Sequence, residues 1–433
     1  MAMGNAIIWI FIVVQLCVSL VYGDYIANTV YEWEKVDLVW PNDTTRDEFI
    51  QGNIFIAENN AINGIKIYKD QVYLTIPKLK DGIPFSLVAV QDNGTKTPQL
   101  RPFPNWNMHI GDDCAKLRLV QSMEIDPHKG YMWILDTSFV PRRRGVNIAD
   151  QCPSKLVIWD LNNNVEVHRY TFPSSVAGQG MYYLNDIVLD FDHSTARWAY
   201  ISDTLGHKLV VYDRKNDHSY AFRHASMKPV PLYADITIGD VTNAYSPLGI
   251  NGIAMSSDLK NVYYCPLAGI ALYRIPTSIL RNNGSTNSDF SKGVKHVGNK
   301  DVQSDGMYYS QKNDLYYSTL GLRSVKKWPM TPKCNTVTAG YRTDVVKDIR
   351  IEWVDSFAFD DKGHLWFVSN NLNTHFTNGT TEGKSNYFVW KVFVNDTSYL
   401  HFNFESDQTC SAPISYGFTF LIVLSLFCSS III

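Results

Sequence analysis

The chain has 433 residues, with 39 basic against 42 acidic side chains and a formal net charge of −3. So even a balance offers no basic surface for a phosphate backbone, and no nucleic-acid partner is expected. The 25 Tyr, 21 Phe and 11 Trp suit stacked β-sheets, where most aromatics serve packing.

The chain opens on an apolar run, Ala6 to Tyr22, ending in Val21-Tyr-Gly23. Small residues at the last and third-last positions suit cleavage before Asp24, so residues 1–23 are read as a signal peptide. The start lacks the usual Lys or Arg, and retention as an anchor is the alternative.

Six segments then share one grammar. They begin at Asn63-Gly-Ile, Met123-Glu-Ile, Asn185-Asp-Ile, Asn251-Gly-Ile, Asp305-Gly-Met and Asp355-Ser-Phe. Each has a polar or small opening, an apolar run, a turn carrying Asp, Asn, Ser or Lys, and an aromatic-rich run. Each therefore reads as an antiparallel meander of short strands. One meander cannot bury both of its faces, so the copies must stack. Their spacing of roughly 50 to 65 residues is that of propeller blades with long loops. The expected fold is all-β, a six-bladed β-propeller over residues 24–405, acting as a monomer.

The end of the chain, Tyr416 to Ile433, is apolar to its last residue with no cationic flank, after the polar and small segment Ser406 to Ala412. Residues 406–433 are read as a signal for a glycolipid (GPI) anchor. A retained tail helix and an unprocessed secreted form are the other two readings. The attachment residue lies at Ser406 or within Cys410-Ser411-Ala412.

With Cys17 and Cys428 in the terminal segments, Cys114, Cys152, Cys265, Cys334 and Cys410 remain. In an oxidising compartment the first four should pair, and the local choices are Cys114–Cys152 and Cys265–Cys334. Five sequons, at Asn42, Asn93, Asn283, Asn378 and Asn395, fall in turn-like sequence outside the apolar runs, as N-glycosylation sites would. Arg142-Arg-Arg144 is read as a solvated loop, with an acidic partner or a protease as the alternative.

In a propeller the first strand of each blade lines the axis. The polar openings Asn63, Asn185, Asp186, Asn251, Asp305 and Asp355 are therefore expected to converge at one end of the channel. Such a ring can hold an ammonium group by charge-assisted hydrogen bonds, with aromatics enclosing the rest of the molecule. The competing reading is that Asp and Asn at strand starts bond backbone amides in turns. No Cys/His cluster suggests zinc, and there is no P-loop, GxGxxG, GxSxG or HExxH, so no metal or cofactor is expected. The 11 histidines are dispersed, and His207 is placed in a loop between strands.

The order of motifs resembles the Yellow and major royal jelly protein family along almost all of the mature length. It is carried by Glu32-Trp-Glu-Lys-Val-Asp-Leu-Val-Trp40, Ile76-Pro-Lys-Leu-Lys-Asp-Gly-Ile-Pro84, Pro104-Asn-Trp106, Trp133-Ile-Leu-Asp136 and Cys152-Pro-Ser-Lys-Leu-Val-Ile-Trp-Asp-Leu161. Ile201-Ser-Asp203, Gly249-Ile-Asn-Gly-Ile253, Leu272-Tyr-Arg-Ile275 and Ser304-Asp-Gly306 continue it. The resemblance implies a secreted arthropod propeller, closed by pairing the N-terminal segment with the last blade. Among relatives it implies amine binding in the central tunnel, a part in cuticle melanisation, or conversion of dopachrome. By the same resemblance Asn370, in Val368-Ser-Asn370, lies near the tunnel mouth and joins Asp355 as the best pair. Many relatives carry a further Cys where this chain has Asp126-Pro-His-Lys129, a departure that bears on the partner of Cys114.

The expected function is an extracellular propeller, free or held at the cell surface, that binds a small amine or catechol-type ligand in pigmentation. The alternatives are a dopachrome-converting isomerase, which needs a proton shuttle and little else, and a structural cuticle or eggshell protein without ligand.

Overall fold

A computed structural model describes residues 25–111, 113–138, 152–178, 181–244, 246–333, 336–375 and 380–401. The expected signal peptide and tail, the Arg142–Arg144 run, Asn378, Cys334 and Cys410 lie outside them.

Six antiparallel sheets form the blades of a β-propeller. Blade 1 runs Gly64–Tyr68, Gln71–Thr75, Leu87–Val90 and Leu100–Pro102. Blade 2 is Val120–Asp126, Tyr131–Asp136, Lys155–Asp160 and Val165–Thr171. Blade 3 is Leu184–Asp192, Thr195–Asp203, Lys208–Asp213 and His218–Arg223, and blade 4 is Ile250–Met255, Asn261–Pro266, Ala271–Pro276 and Lys295–Asn299. Blade 5 has Met307–Tyr309, Asp314–Thr319 and the long Ser324–Lys333, which carries both Thr336–Ala339 and Thr343–Lys347. Blade 6 takes Phe357–Phe359, His364–Ser369 and Tyr387–Phe393 from the end of the chain, and its fourth strand, Ala27–Trp33, from the start. Trp33 pairs with Tyr387 and Ala27 with Val392, so the two ends of the domain are stitched into one sheet.

The burial pattern follows from stacking. Inner strands are covered on both faces by neighbouring blades, so Ile250–Met255 and Val120–Asp126 are buried at every position. Outer strands meet solvent, as in Val165–Thr171. The polar turns have a mechanism too. Asp126, Asp160 and Asp360 each accept from the backbone N–H two residues on, at 2.9, 2.8 and 2.9 Å, folding the hairpins between first and second or third and fourth strands.

Two acidic residues of the family-like motifs are structural pins. Asp136 and Asp203 end second strands and sit opposite Lys155 and Lys208, with ion pairs of 2.7 and 3.2 Å in which every partner is almost fully buried. Each carboxylate also takes backbone amides: Arg118 and Leu119 donate to Asp136, and Tyr183 and Gly206 to Asp203. Removing one partner of such a pair strands a buried charge, at a cost of about 3–5 kcal/mol.

Cys114 and Cys152 form a disulfide as expected. The expected Cys265–Cys334 bond is not made, because Cys265 is a free thiol. Its strand, Asn261–Pro266, is the second of blade 4, and the thiol is wholly buried among the apolar residues there, acting as a small hydrophobe. Asn42, Asn93, Asn283 and Asn395 are exposed on loops, and His207 lies in the turn between the second and third strands of blade 3.

Native protein treated with a thiol reagent without reductant should therefore leave Cys265 unmodified, whereas unfolded protein should take up label there. Peptide mass mapping reads this, and a peptide joining Cys265 to Cys334 would overturn it.

Candidate functional site

The structure aligns the six blade openings more closely than the repeat alone. They are Asn63-Gly64, Gln121-Ser122, Asn185-Asp186, Asn251-Gly252, Asp305-Gly306 and Asp355-Ser356, each followed by an apolar residue of the first strand. The small second residue has a steric cause at two of them. A Cβ on Gly252 would collide with the carbonyl of Asp305, and one on Gly306 with that of Asp355. Each blade's opening is thus laid against the backbone of the next. A second-strand hydroxyl fastens the joint. Ser202 Oγ takes the N–H of Asp186 at 3.1 Å and donates to Asn251 O at 2.7 Å. Thr75 does the same between Gly64 N and Gln121 O.

The side chains of these openings form a belt from blade to blade. Gln121 Nε2 donates to Asn185 Oδ1 at 3.0 Å, and Asn185 Nδ2 donates to Asn251 Oδ1. Ser122 Oγ donates to Asp186 Oδ1 at 2.9 Å. Across blades 5 and 6, Asp305 and Asp355 hydrogen-bond each other. Asn370 Nδ2 reaches Asp355 Oδ2 at 2.9 Å and Ile62 O at 3.0 Å, joining blade 6 to the threshold of blade 1. Trp353 Nε1 donates to Asp305 Oδ2 at 2.6 Å. Asn185, Asp186, Asn251, Asp305, Asp355 and Asn370 are thus brought together. Asn63 is buried at the same level, but its Oδ1 has no hydrogen-bond partner among the described residues.

One turn of alternation deeper, three residues after each opening, lies a second level. There Lys66, Glu124 and Tyr308 meet from blades 1, 2 and 5. Lys66 Nζ is 3.2 Å from Glu124 Oε2, donates to Phe357 O at 3.0 Å and stands 4.4 Å from the centre of the Tyr308 ring. Tyr308 also interacts with Glu124, from the opposite side of the ring of blades. Side chains therefore cross the axis at this depth. Beyond them, the segment after blade 6 crosses back beneath the hub. The Tyr399 hydroxyl, on a wholly buried ring, accepts from Leu189 N at 2.9 Å, and Ser398 Oγ bonds the Tyr308 hydroxyl at 2.9 Å. The channel is polar at its threshold and filled below.

Electrostatics separate the carboxyls. Burial, then the neighbouring Asp355 charge, raises Asp305 far above the ordinary carboxyl range. Burial pushes Asp355 up to about 6, against the lowering effect of its bonds from Asn370 and Asp305. Burial and their mutual contact disfavour ionising both carboxyls at once. Burial also raises Asp186 and Glu124, with Lys66 pulling both down. Asp186 and Asp355 keep some surface open although protein surrounds them, whereas Asp305 is nearly closed off. Among the described residues, four carboxyl groups face a single ammonium.

Lys66, Glu124, Tyr308, Gln121 and Trp353 were not singled out from sequence. Gln121 was legible: the second repeat starts at Gln121-Ser122 when Met123 is set against Ile65, Ile187 and Ile253. Lys66 and Glu124 were legible as charges inside strands buried on both sides. Two cavities, of about 300 and 520 Å³, share Asp70 and Gln71 at the outer turn of blade 1, away from these residues.

Residues 120–399 match the family described as Major royal jelly protein. The chain belongs to that family. Protein yellow of Drosophila yakuba and of Drosophila melanogaster are each 23% identical over 384 residues, 84% of this chain and 68% of the relative. Among solved structures, a luciferin-regenerating enzyme aligns over 79% of this chain and 96% of its own, at 12% identity and a TM-score of 0.46. The PQQ-bound aldose sugar dehydrogenase of Streptomyces coelicolor aligns over 86% and 99%, at 10% identity and a TM-score of 0.46.

The raised Asp355 has a sign that stability measurements can read. Below about pH 4 the folded and unfolded carboxyls both keep their proton. Between about 4 and 6 the native Asp355 holds a proton that the unfolded chain has lost, so its contribution to stability falls as pH rises, in the same direction as those of the raised Asp305, Asp186 and Glu124. Urea unfolding from pH 4 to 7 should show this loss, up to about 3 kcal/mol from Asp355 for a two-unit shift, and Asp355→Asn should make the slope shallower by that contribution. A variant with the slope of the native protein would place the titration elsewhere.

Proposed function

We propose that this chain is an extracellular Yellow-type propeller whose hub takes a small amine or catechol-type molecule at the Asp305–Asp355 threshold, in a pigmentation pathway. The observation that carries this reading is the excess, among the described residues, of the carboxyls of Asp186, Asp305, Asp355 and Glu124 over the ammonium of Lys66, with Asp305 and Asp355 in contact. A buried threshold of that sign favours a monocation, whose ammonium would neutralise the pair and donate to the oxygens of Asp355, Asp305 and Asn370. Tyr183 and Trp353 supply aromatic surface beside it.

Calorimetry with dopamine and serotonin tests the reading. Binding is expected for both, weakened at least ten-fold by Asp355→Asn, about 1.4 kcal/mol or more, and strengthened from pH 5 to pH 7 as Asp355 ionises. Absence of heat with either amine would sink it. A second reading, a dopachrome isomerase, draws on the same pair, since a carboxyl raised to about 6 suits acid–base transfer near neutrality. Loss of dopachrome absorbance that disappears in Asp355→Asn would establish it. Silence in both assays leaves the structural role in cuticle or eggshell.

The Cys114–Cys152 bond and the exposed sequons Asn42, Asn93, Asn283 and Asn395 support passage through the secretory pathway. Among the described residues no helix is long and apolar enough to cross a membrane. Protein from intact insect cells should lose mass on treatment with an N-glycosidase and be released by a phosphatidylinositol-specific lipase. Retention after the lipase would exclude the glycolipid anchor.

A further inference from the structure

Between blades 3 and 4 the chain makes a detour that belongs to no blade. Ile236–Ile238 and Val241–Asn243 pair as an isolated two-stranded hairpin, with Gly239 in the left-handed region at its turn (φ 58°). A pair of three-residue strands has no stability of its own, so its position is set by what it rests on. It rests on the face of the propeller where the first strands begin. Ile236 and Ile238 are buried against Leu267 of blade 4, Leu320 of blade 5 and Trp353 at the threshold of blade 6. The second strand packs on the short helix Leu372–His375, which follows Asn370. The hairpin is therefore a strap laid across half the ring, from blade 4 to blade 6.

The fastenings seen among the described residues are of a releasable kind. Gln303 Nε2 donates to Asp235 O at 2.8 Å and to Tyr233 O at 3.3 Å, and Ser246 N closes the base on Ala234 O at 2.7 Å. A Cβ on Gly239 would collide with the Arg323 guanidinium, so the turn is seated on that side chain. Yet Arg323 Nε and Asn243 Nδ2, both buried on this seam, donate to nothing among the described residues. Buried donors without acceptors disfavour the closed seam relative to a hydrated one.

The strap is one residue away from the carboxyl pair. Trp353 has its ring in the apolar cluster under the strap and its N–H on Asp305, while its backbone exchanges two hydrogen bonds with Asn370, which holds Asp355. The opposite approach is filled by Lys66, Glu124 and Tyr308 and by the Ser398–Tyr399 segment. We propose that residues 236–243 gate Asp305: lifting the strap frees the Trp353 indole and opens a short path by which a small cationic solute passes from the partly open Asp355 to the closed Asp305. This deepens the amine-binding reading and rests on it for the identity of the solute, but not for the motion.

Hydrogen exchange on the full-length protein tests the motion without ligand. In a variant with 236–243 replaced by Gly-Ser-Gly, and in Ile238→Ser, amides in peptides 303–307 and 352–356 should exchange at least ten-fold faster. Blade 2 peptide 120–126 serves as the internal reference against general loosening. Unchanged ratios to that reference in both variants would overturn the gate. Stopped-flow quenching of tryptophan fluorescence by dopamine forms the second arm, with association expected to be at least ten-fold faster in the variants. Faster exchange with no dopamine binding in any protein keeps the gate and discards the amine. Dopamine binding at equal rates in all three proteins discards the gate and keeps the amine.

Discussion

Ala27–Trp33 lies against Tyr387–Phe393, and every blade depends on that pairing. A four-stranded sheet in this chain is apolar on both faces, so each blade needs a neighbour on each side, and only a closed ring supplies one to all six. Closure also covers the sheet faces that an open stack would leave at its ends. Trp33 is buried to 1% exposure, and its indole N–H donates to Pro98 O at 2.8 Å, so the closing strand is anchored on blade 1 as well as on blade 6. The ring is thus held where the sequence is farthest apart, and local contacts cannot substitute for it.

Ring closure fixes the chemistry of the hub. Six strands that start at one level must bring six openings together, and their backbones approach so closely that Gly is required at two of them. The remaining positions are polar because strand starts leave backbone groups to be satisfied where no helix or sheet covers them. Once six such positions face one another, their side chains become one another's partners. That is why the belt from Gln121 through Asn185 to Asn251 is continuous, and why Asp305 and Asp355 come within hydrogen-bonding reach and resist ionising together. Structure and chemistry use the same groups here.

The fold was legible because each blade repeats its punctuation: Asn251-Gly252-Ile253 and Asp305-Gly306-Met307 announce the same event in two places. The site was legible only in its outer level. Asp355, Asn370, Asp305, Asn251, Asn185 and Asp186 stand at openings that the repeat marks. Lys66, Glu124 and Tyr308 stand three residues on, inside strands, where their meeting depends on which blades face each other across the axis. Trp353 precedes its blade and is placed by the strap and by Asn370, neither of which belongs to the repeat. The Cys265–Cys334 expectation failed for a related reason. Counting cysteines assumes that thiols seek one another, and Cys265 instead occupies a site in the blade 4 core that an apolar residue would fill.

A filled channel alters what binding at the hub can mean. In an open tunnel a solute enters a space that exists beforehand, and affinity reports its contacts. Here Lys66, Glu124 and Tyr308 occupy the axis and Tyr399 closes the far side, so a molecule reaching Asp305 must exchange places with contacts the protein already makes. The lost contacts lower affinity, and they also select. Under the proposed gate, a neutral molecule would displace Trp353 and the strap with no compensating contact, whereas a cation would gain the poorly solvated carboxyl groups. Discrimination then comes from the state of the empty hub as much as from the shape of the occupied one.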